Sequence, residues 1–380
     1  MAHFAVNGSL KMPTVTVGTS EPADYSTSSY SDYEGDSLEA KVVPSVLLVI
    51  LIVGWVGNSV VVFVILRAGH GRVKTATNCY IVNLAITDLF FLLCCVPWTA
   101  AIFAWNDWKF GRFMCKFVFF MMHVTAQATC LTLTAMSVDR YQAIVRPLRS
   151  LQNRSTKIVT VIIIIIWTFS LVTGVPVFIY QDIVEHPYYP RQLVCHEDWP
   201  IQVMYPSYGL YCLIMMYLIP LAIISICYLR LLITLWEQVM PGLDGAHLQH
   251  RVKDMRQRRH VTWMVLAVVL AFAICWLPLY ICNIWQRLFQ DTYPRTNAMY
   301  IFKVTGNVLA YSNSCINPFI YSFMGENFRR YLRRACPLCF KNRGRQFVVG
   351  NSRRTGTTVM DDHPMVEFKP GSTVSESDPK

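Results

Sequence analysis

A chain of 380 residues could form two or three ordinary domains, yet 54% of it is hydrophobic and 15% charged, too apolar for a wholly water-facing surface. This balance excludes a plain cytosolic enzyme and points to lipid as the solvent. The net charge of +11 gathers at the rims of apolar segments, as expected near anionic lipid, and no nucleic-acid partner is needed to explain it.

In chain order, residues 1–41 are polar, rich in Ser and Thr, and acidic (Glu21, Asp24, Asp32, Glu34, Asp36, Glu39), which reads as a disordered tail. Seven segments then lack charge, or nearly so, over the roughly 20 residues a helix needs to cross a bilayer. They are 42–66, 79–105 (broken by Asp88), 117–138, 158–181, 201–229, 260–286 and 304–325. Backbone groups in hydrocarbon must be satisfied within the segment, so each reads as an α-helix, with internal prolines as kinks. The expected fold is an all-α membrane protein: a seven-transmembrane bundle over 42–325, a short amphipathic helix over 326–340, and a disordered cytoplasmic tail over 341–380.

Basic residues crowd the segments after spans one, three, five and seven: Arg67, Arg72 and Lys74; Arg146, Arg149, Arg154 and Lys157; Arg251 to Arg259; and Arg329 to Arg345. Such rims face the cytoplasm, which puts the N-terminus outside. Of the two sequons, at Asn7 and Asn153, only Asn7 then lies on the side where glycans are added. Among 13 cysteines, Cys115 and Cys195 fall at the oxidising outer surface and are expected to pair. Cys336 and Cys339, in the basic tail, are palmitoylation candidates, with unmodified interfacial cysteines as the plain reading.

Polar groups at depth discriminate among functions. Asp88 is the carboxylate deep in a span, and its expected neighbours are Asn58, Thr129, Asn313 and Asn317. One carboxylate among neutral oxygens suits a sodium ion or a shared proton; the plainer reading is a polar knot that fixes helix packing. A transporter built around Asp88 is the rival from another class, and it would more often show repeated halves. Enzyme signatures such as H-E-x-x-H, G-x-S-x-G and the P-loop do not occur, so no enzyme and no organic cofactor is expected. "FAICWLPLY" (272–280) and "NSCINPFIY" (313–321) each place a proline at mid-membrane, which makes a hinge candidate. "AMSVDRYQAIV" (135–145) ends an uncharged run on Asp139 and Arg140, a pair that must sit where it can be hydrated, mutually paired or switched between the two.

The signatures lie in order: Gly57-Asn58; Asn83-Leu84-Ala85 with Asp88; Cys115 and Asp139-Arg140-Tyr141; Trp167; Pro220 with Tyr228; Cys275-Trp276-Leu277-Pro278; and Asn317-Pro318 with Tyr321. With them the chain resembles the rhodopsin-like (class A) G-protein-coupled receptors from about residue 42 to 340. The resemblance implies a multi-pass plasma-membrane receptor with a heterotrimeric G protein, receptor kinase, arrestin and membrane lipid as partners. It makes Asp139, Arg140, Tyr141, Tyr228, Asn317, Pro318 and Tyr321 the inner switch, and Phe272, Trp276 and Pro278 the toggle and hinge. Many relatives place an acid on helix six opposite the arginine, where this chain has Arg258, so a second interhelical salt bridge is in doubt.

The ligand class follows by elimination. Met122 stands where amine receptors carry an aspartate, and Tyr311 where opsins carry the retinal lysine; Lys303 lies too near the outer end to replace it. The expected mouth is lined by Trp98, Met122, His123, Gln127, Tyr280, Asn283, Gln286, Tyr300 and Asn307 above Trp276, aromatic and amide surface that suits a peptide terminus. "FLLCCVPWTA", "FMCKFV" and "QATCLTLTAMSVDR" resemble kisspeptin receptors, in a neuropeptide branch with galanin and allatostatin-A receptors, whereas "AYSNSCINP" and "GENFRR" look equally like galanin receptors. The kisspeptin resemblance implies an Arg-Phe-amide agonist and coupling through Gq, phospholipase C and calcium. Glu197 is the first choice for the ligand arginine's counter-charge, with Glu185, Asp198 and Asp291 behind it.

Overall fold

A computed structural model describes residues 38–68, 75–146, 155–186, 192–237, 246–294 and 296–335, all within one compact unit. Asn7, Asn153, Cys336, Cys339, residues 1–37 and the tail from 341 onward lie outside the described residues. Span one is α1 (Leu38–Ala68), which starts inside the stretch read as tail. Span two, read as a helix with its internal proline as a kink, is two helices, α2 (Ala76–Cys94) and α3 (Val96–Trp105), broken at Cys95. Pro97 explains the break: it has no N–H for the Leu93 carbonyl, and its ring crowds that carbonyl.

Span three is α4 (Gly111–Val145) and span four is α5 (Thr156–Tyr180). A hairpin follows, with β1 (Gln181–Glu185) antiparallel to β2 (Leu193–Glu197) and Ile183 opposite Cys195. Span five runs through α6 (Met204–Leu213), a π-helical stretch (Ile214–Leu218) and α7 (Ile219–Glu237). The widened turn ends just before Pro220, whose missing N–H would otherwise leave a gap in the helix ladder. Span six is α8 (Ala246–Leu288), 43 residues long with Pro278 inside it. Span seven is α9 (Asn297–Met324), and α10 (Glu326–Ala335) follows it.

Six of the spans are apolar enough along their length to cross a membrane on composition alone. The seventh, α9, is less apolar because its bundle face carries Asn307, Asn313, Ser314 and Asn317, all buried. Lipid-facing positions show the reverse pattern, with Val172, Ile226, Ile274 and Phe323 exposed. Polar groups inside and aliphatic groups outside is the arrangement expected when the solvent is hydrocarbon. The most apolar window of α4 is 72% buried against 22% for α5, so α4 is the axial pillar and α5 a peripheral stave.

Three caps set where helices begin at the membrane surface. Thr75, Ser155 and Thr296 each accept a bond from a backbone N–H three residues on, at 3.2, 3.4 and 3.3 Å. At the outer end Cys115 and Cys195 form the expected disulfide, with Cα atoms 5.6 Å apart, fastening β2 to the first turns of α4. The Asp107 carboxylate accepts from the Leu193 N–H at 2.8 Å, a second tie on the same strand. Replacing Cys195 with Ser should cost about 2–5 kcal/mol of stability, because the bridge closes a long loop. A thermal melt of the purified protein checks this; an unchanged midpoint would mean the hairpin is held by its packing.

Candidate functional site

The inner end is built by the last turns of α4. Arg140 donates to Asp139 Oδ2 through Nε at 3.2 Å and through Nη2, and Nη2 also reaches the Thr77 hydroxyl on α2. Both charged residues are buried. The pair thus links its own helix to α2. Tyr228 on α7 donates to the Thr262 carbonyl of α8 at 3.3 Å. Tyr321 is buried, and its hydroxyl has no hydrogen-bond partner. Tyr141 is half-buried beside Arg146, whose guanidinium carbon lies 5.9 Å from the ring centre. Arg258 falls within α8, but its side chain lies outside the described residues.

At mid-membrane, Asn317 donates to Asp88 Oδ2 at 2.8 Å, and the Ser314 side chain also bonds the carboxylate. Asn58 donates to the Gly54 carbonyl at 2.9 Å and to the Ser314 carbonyl at 2.8 Å. This joins α1, α2 and α9, and Gly57 permits the approach, since a Cβ there would stand 3.0 Å from the Pro318 ring. Thr129 and Asn313, expected in the cluster, are buried but join none of these bonds. The Oδ1 atoms of Asn58, Asn313 and Asn317 are buried without a partner. Unmet acceptors around one carboxylate fit the donor set of a small hard cation or bound water. Asn83 instead serves the packing, donating to Thr132 at 2.8 Å and accepting from the Trp167 indole at 2.9 Å, which ties spans two, three and four.

The outer half holds a small cavity between spans three, four, five and six and the hairpin. Trp276 forms part of its lining and packs on Phe272 and Tyr280, with ring centres 5.7 and 6.0 Å away. Pro278 sits against Gly306, where an added Cβ would lie 3.2 Å from the Leu279 nitrogen, so α8 and α9 touch through their backbones at the hinge. Of the expected lining, Tyr280, Asn283 and Glu197 face this cavity together with Trp276. The buried Asn283 Oδ1 has no partner.

The other expected lining residues do not line it. His123 is buried, bonding the Tyr208 hydroxyl at 3.0 Å and Thr173 Oγ1 at 3.4 Å through its two ring nitrogens. Gln127 is buried, with both amide atoms unpartnered. Met122 packs under Tyr311, whose hydroxyl lies 3.9 Å from its sulfur. Trp98 stands edge-on to Phe110 at 4.9 Å. Gln286 accepts from Lys303 at 2.7 Å, the Asn307 amide donates to the Lys303 carbonyl at 3.1 Å, and Tyr300 is exposed. The broad mouth read from the sequence is thus narrowed to the side of spans five and six.

Glu197, the first choice for the ligand arginine's counter-charge, is paired with a cation of the chain itself. One oxygen accepts from Arg287 Nη2 at 2.7 Å and the other from the Trp199 indole at 2.8 Å. Arg287, not among the residues expected in the site, is buried, lies 4.3 Å from the Tyr205 ring centre, and donates to the Tyr205 carbonyl at 3.0 Å. Gly209 makes the room, since a Cβ there would come within 2.3 Å of Arg287 Cδ. The only hint in the sequence is a cation placed right at the end of span six. Nearby, burial pushes the His196 imidazole below its ordinary pKa, and the hydrogen bond from Arg112 holds Asp182 below the usual carboxylate range.

Asp139→Asn should raise ligand-free signalling. Hydrogen bonds to a charged group are worth roughly 1.5–3 kcal/mol, so weakening this one shifts the ratio of resting to active states about tenfold. Basal nucleotide exchange measures it, and an unchanged rate would detach the pair from the resting state.

Residues 57–321 match the family model of the seven-transmembrane receptors of the rhodopsin family. The chain is 40% identical over 320 residues to G-protein coupled receptor 54 of Oreochromis niloticus, covering 82% of this chain and 84% of that one. It is 39% identical over 307 residues to the human KiSS-1 receptor, covering 79% and 76%. To the rat galanin receptor type 1 it is 35% identical over 297 residues, covering 76% and 81%.

Proposed function

Because the chain belongs to the rhodopsin-like seven-transmembrane receptors, we propose that its outer cavity takes a kisspeptin-like neuropeptide ending in Arg-Phe-amide and that its inner face activates Gq. The family makes it a multi-pass plasma-membrane receptor that acts on heterotrimeric G protein, not an enzyme. The observation that carries the ligand reading is the unpartnered Asn283 Oδ1 in a cavity otherwise walled by Tyr208, Tyr280 and Trp276. A terminal carboxamide offers the N–H that this acceptor lacks, and a phenyl group offers the apolar surface the aromatic walls complement. The likeness to the human and mouse KiSS-1 receptors supports the same class. A galanin-type peptide is the second reading, supported by the likeness to galanin receptors.

Activation then consists of opening the Arg140 pair. A peptide that favours an outward position of α8 moves Thr262 and its bond to Tyr228, and the freed guanidinium meets Tyr228, Tyr321 and the G protein. A sodium ion at Asp88, held with the Oδ1 atoms of Asn58 and Asn317, would favour the resting bundle. The Cys115–Cys195 bridge supports an extracellular N-terminus, because oxidising conditions prevail on that side. In the same reading Asn7 carries a glycan, Cys336 and Cys339 carry acyl chains beside the lipid-lying α10, and the tail serves receptor kinase and arrestin.

Calcium release from cells expressing the chain, challenged with kisspeptin-, galanin- and allatostatin-A-type peptides, tests the reading. The amidated kisspeptin-type peptide should respond at the lowest concentration, and Asn283→Leu should raise the concentration needed about tenfold, the cost of one buried hydrogen bond. Silence toward all three peptides, in calcium release and in nucleotide exchange on purified heterotrimers, would overturn it.

A further inference from the structure

The surroundings of Arg287 have the composition of a guanidinium receptor. A carboxylate oxygen of Glu197 lies 2.7 Å from Nη2, the Tyr205 carbonyl lies 3.0 Å from Nη1, and the Tyr205 ring lies 4.3 Å from the guanidinium carbon. These are the three things a planar cation asks for: a charge-assisted acceptor, a second acceptor for its fork, and a π face. The notch is shaped for the occupant, because Gly209 leaves the space that Arg287 Cδ fills. The occupant comes from α8, whereas the carboxylate comes from β2 and the carbonyl and ring from α6, so the guanidinium joins three separate elements at the wall of the cavity.

We propose that Glu197, Tyr205 and Gly209 form a guanidinium subsite that Arg287 occupies in the resting receptor and that a guanidinium-bearing ligand enters by exchange. The inference rests on the reading of the chain as a receptor for an arginine-containing peptide, and it changes what that arginine does. One guanidinium replaces another in equivalent contacts, so the exchange adds little to affinity. Its product is a free Arg287 and an outer end of α8 no longer fastened to β2. The ligand arginine is then the efficacy group, and the apolar and amide parts of the peptide supply the hold.

Methylguanidinium, with methylammonium as its control, tests the subsite without any peptide. The readout is the thermal midpoint of the full-length receptor in lipid nanodiscs. Arg287→Gln should melt lower than the native chain, because Glu197 is left buried without its cation. Millimolar methylguanidinium should restore part of that loss, and methylammonium should restore less. Neither should shift the native chain or the double variant Glu197→Gln, Arg287→Gln. If Arg287→Gln does not fold, Arg287→Lys serves in its place, since its ammonium keeps a cation beside Glu197, leaves the space at Gly209 open and cannot fill the planar fork, so methylguanidinium should still raise its midpoint more than methylammonium does. An equal shift in every variant, or none in the vacated one, would overturn the subsite.

A second arm compares an Arg-bearing agonist with its citrulline counterpart. In the native chain the substitution should lower maximal response more than affinity, and in Arg287→Gln the affinity gap should widen about tenfold or more. An equal affinity gap in both chains would overturn the exchange. Methylguanidinium rescue with no response to any peptide would leave the subsite standing and remove the peptide reading. A robust peptide response with no rescue would do the opposite.

Discussion

Lipid gives a buried polar group nothing to bond, so every amide, hydroxyl and charge inside this bundle has to be met by another helix or by a guest. That constraint organises the molecule from end to end. At the inner rim it closes Arg140 onto Asp139 and Thr77. At mid-membrane it draws Asn58, Asp88 and Asn317 together across three spans. At the outer rim it sets Arg287 against Glu197. The three clusters share the same economy of partners and differ in how completely they are satisfied.

Completeness differs from one cluster to the next. Asn83, Thr132 and Trp167 form a set in which the Asn83 amide donates to Thr132 and accepts from the indole, and they fasten spans two, three and four. The Asp88 cluster and the cavity are different, because Asn58, Asn317 and Asn283 keep buried acceptors unmet. Such unmet groups cost stability until a cation, water, ligand or rearranged neighbour arrives. They mark where the resting bundle is most easily biased toward another arrangement.

Much of this was legible in the sequence. The seven charge-poor runs gave the spans, the basic rims gave an orientation, and the lone deep carboxylate and the Asp139-Arg140 doublet located two of the three polar clusters. The disulfide was legible because topology left two cysteines on one side. Other features were not, for physical reasons. The break at Cys95 depends on how a proline is accommodated, and span five shows that a π-helical stretch is an alternative solution. Which residues line a cavity depends on helix rotation, which spacing along one helix cannot set against its neighbours; hence His123 and Gln127 point into packing while Asn283 faces space. Arg287 was hidden because a cation at the end of a span ordinarily reaches for water, and only the missing side chain of Gly209, 78 positions earlier, lets it turn inward.

The length of α8 carries a mechanical consequence. Its 43 residues form one rod interrupted in its bonding only by Pro278, which lies near the outer end. The arm from that proline to Arg259 is roughly 30 Å at 1.5 Å per residue, and the arm from it to Arg287 is about half as long. A rotation of about ten degrees at the fulcrum would carry the inner end by about 5 Å and the outer end by less than 3 Å, by the same geometry. Small displacements beside the cavity are thereby geared up at the far end of the rod, and the asymmetry of the two arms sets the gain.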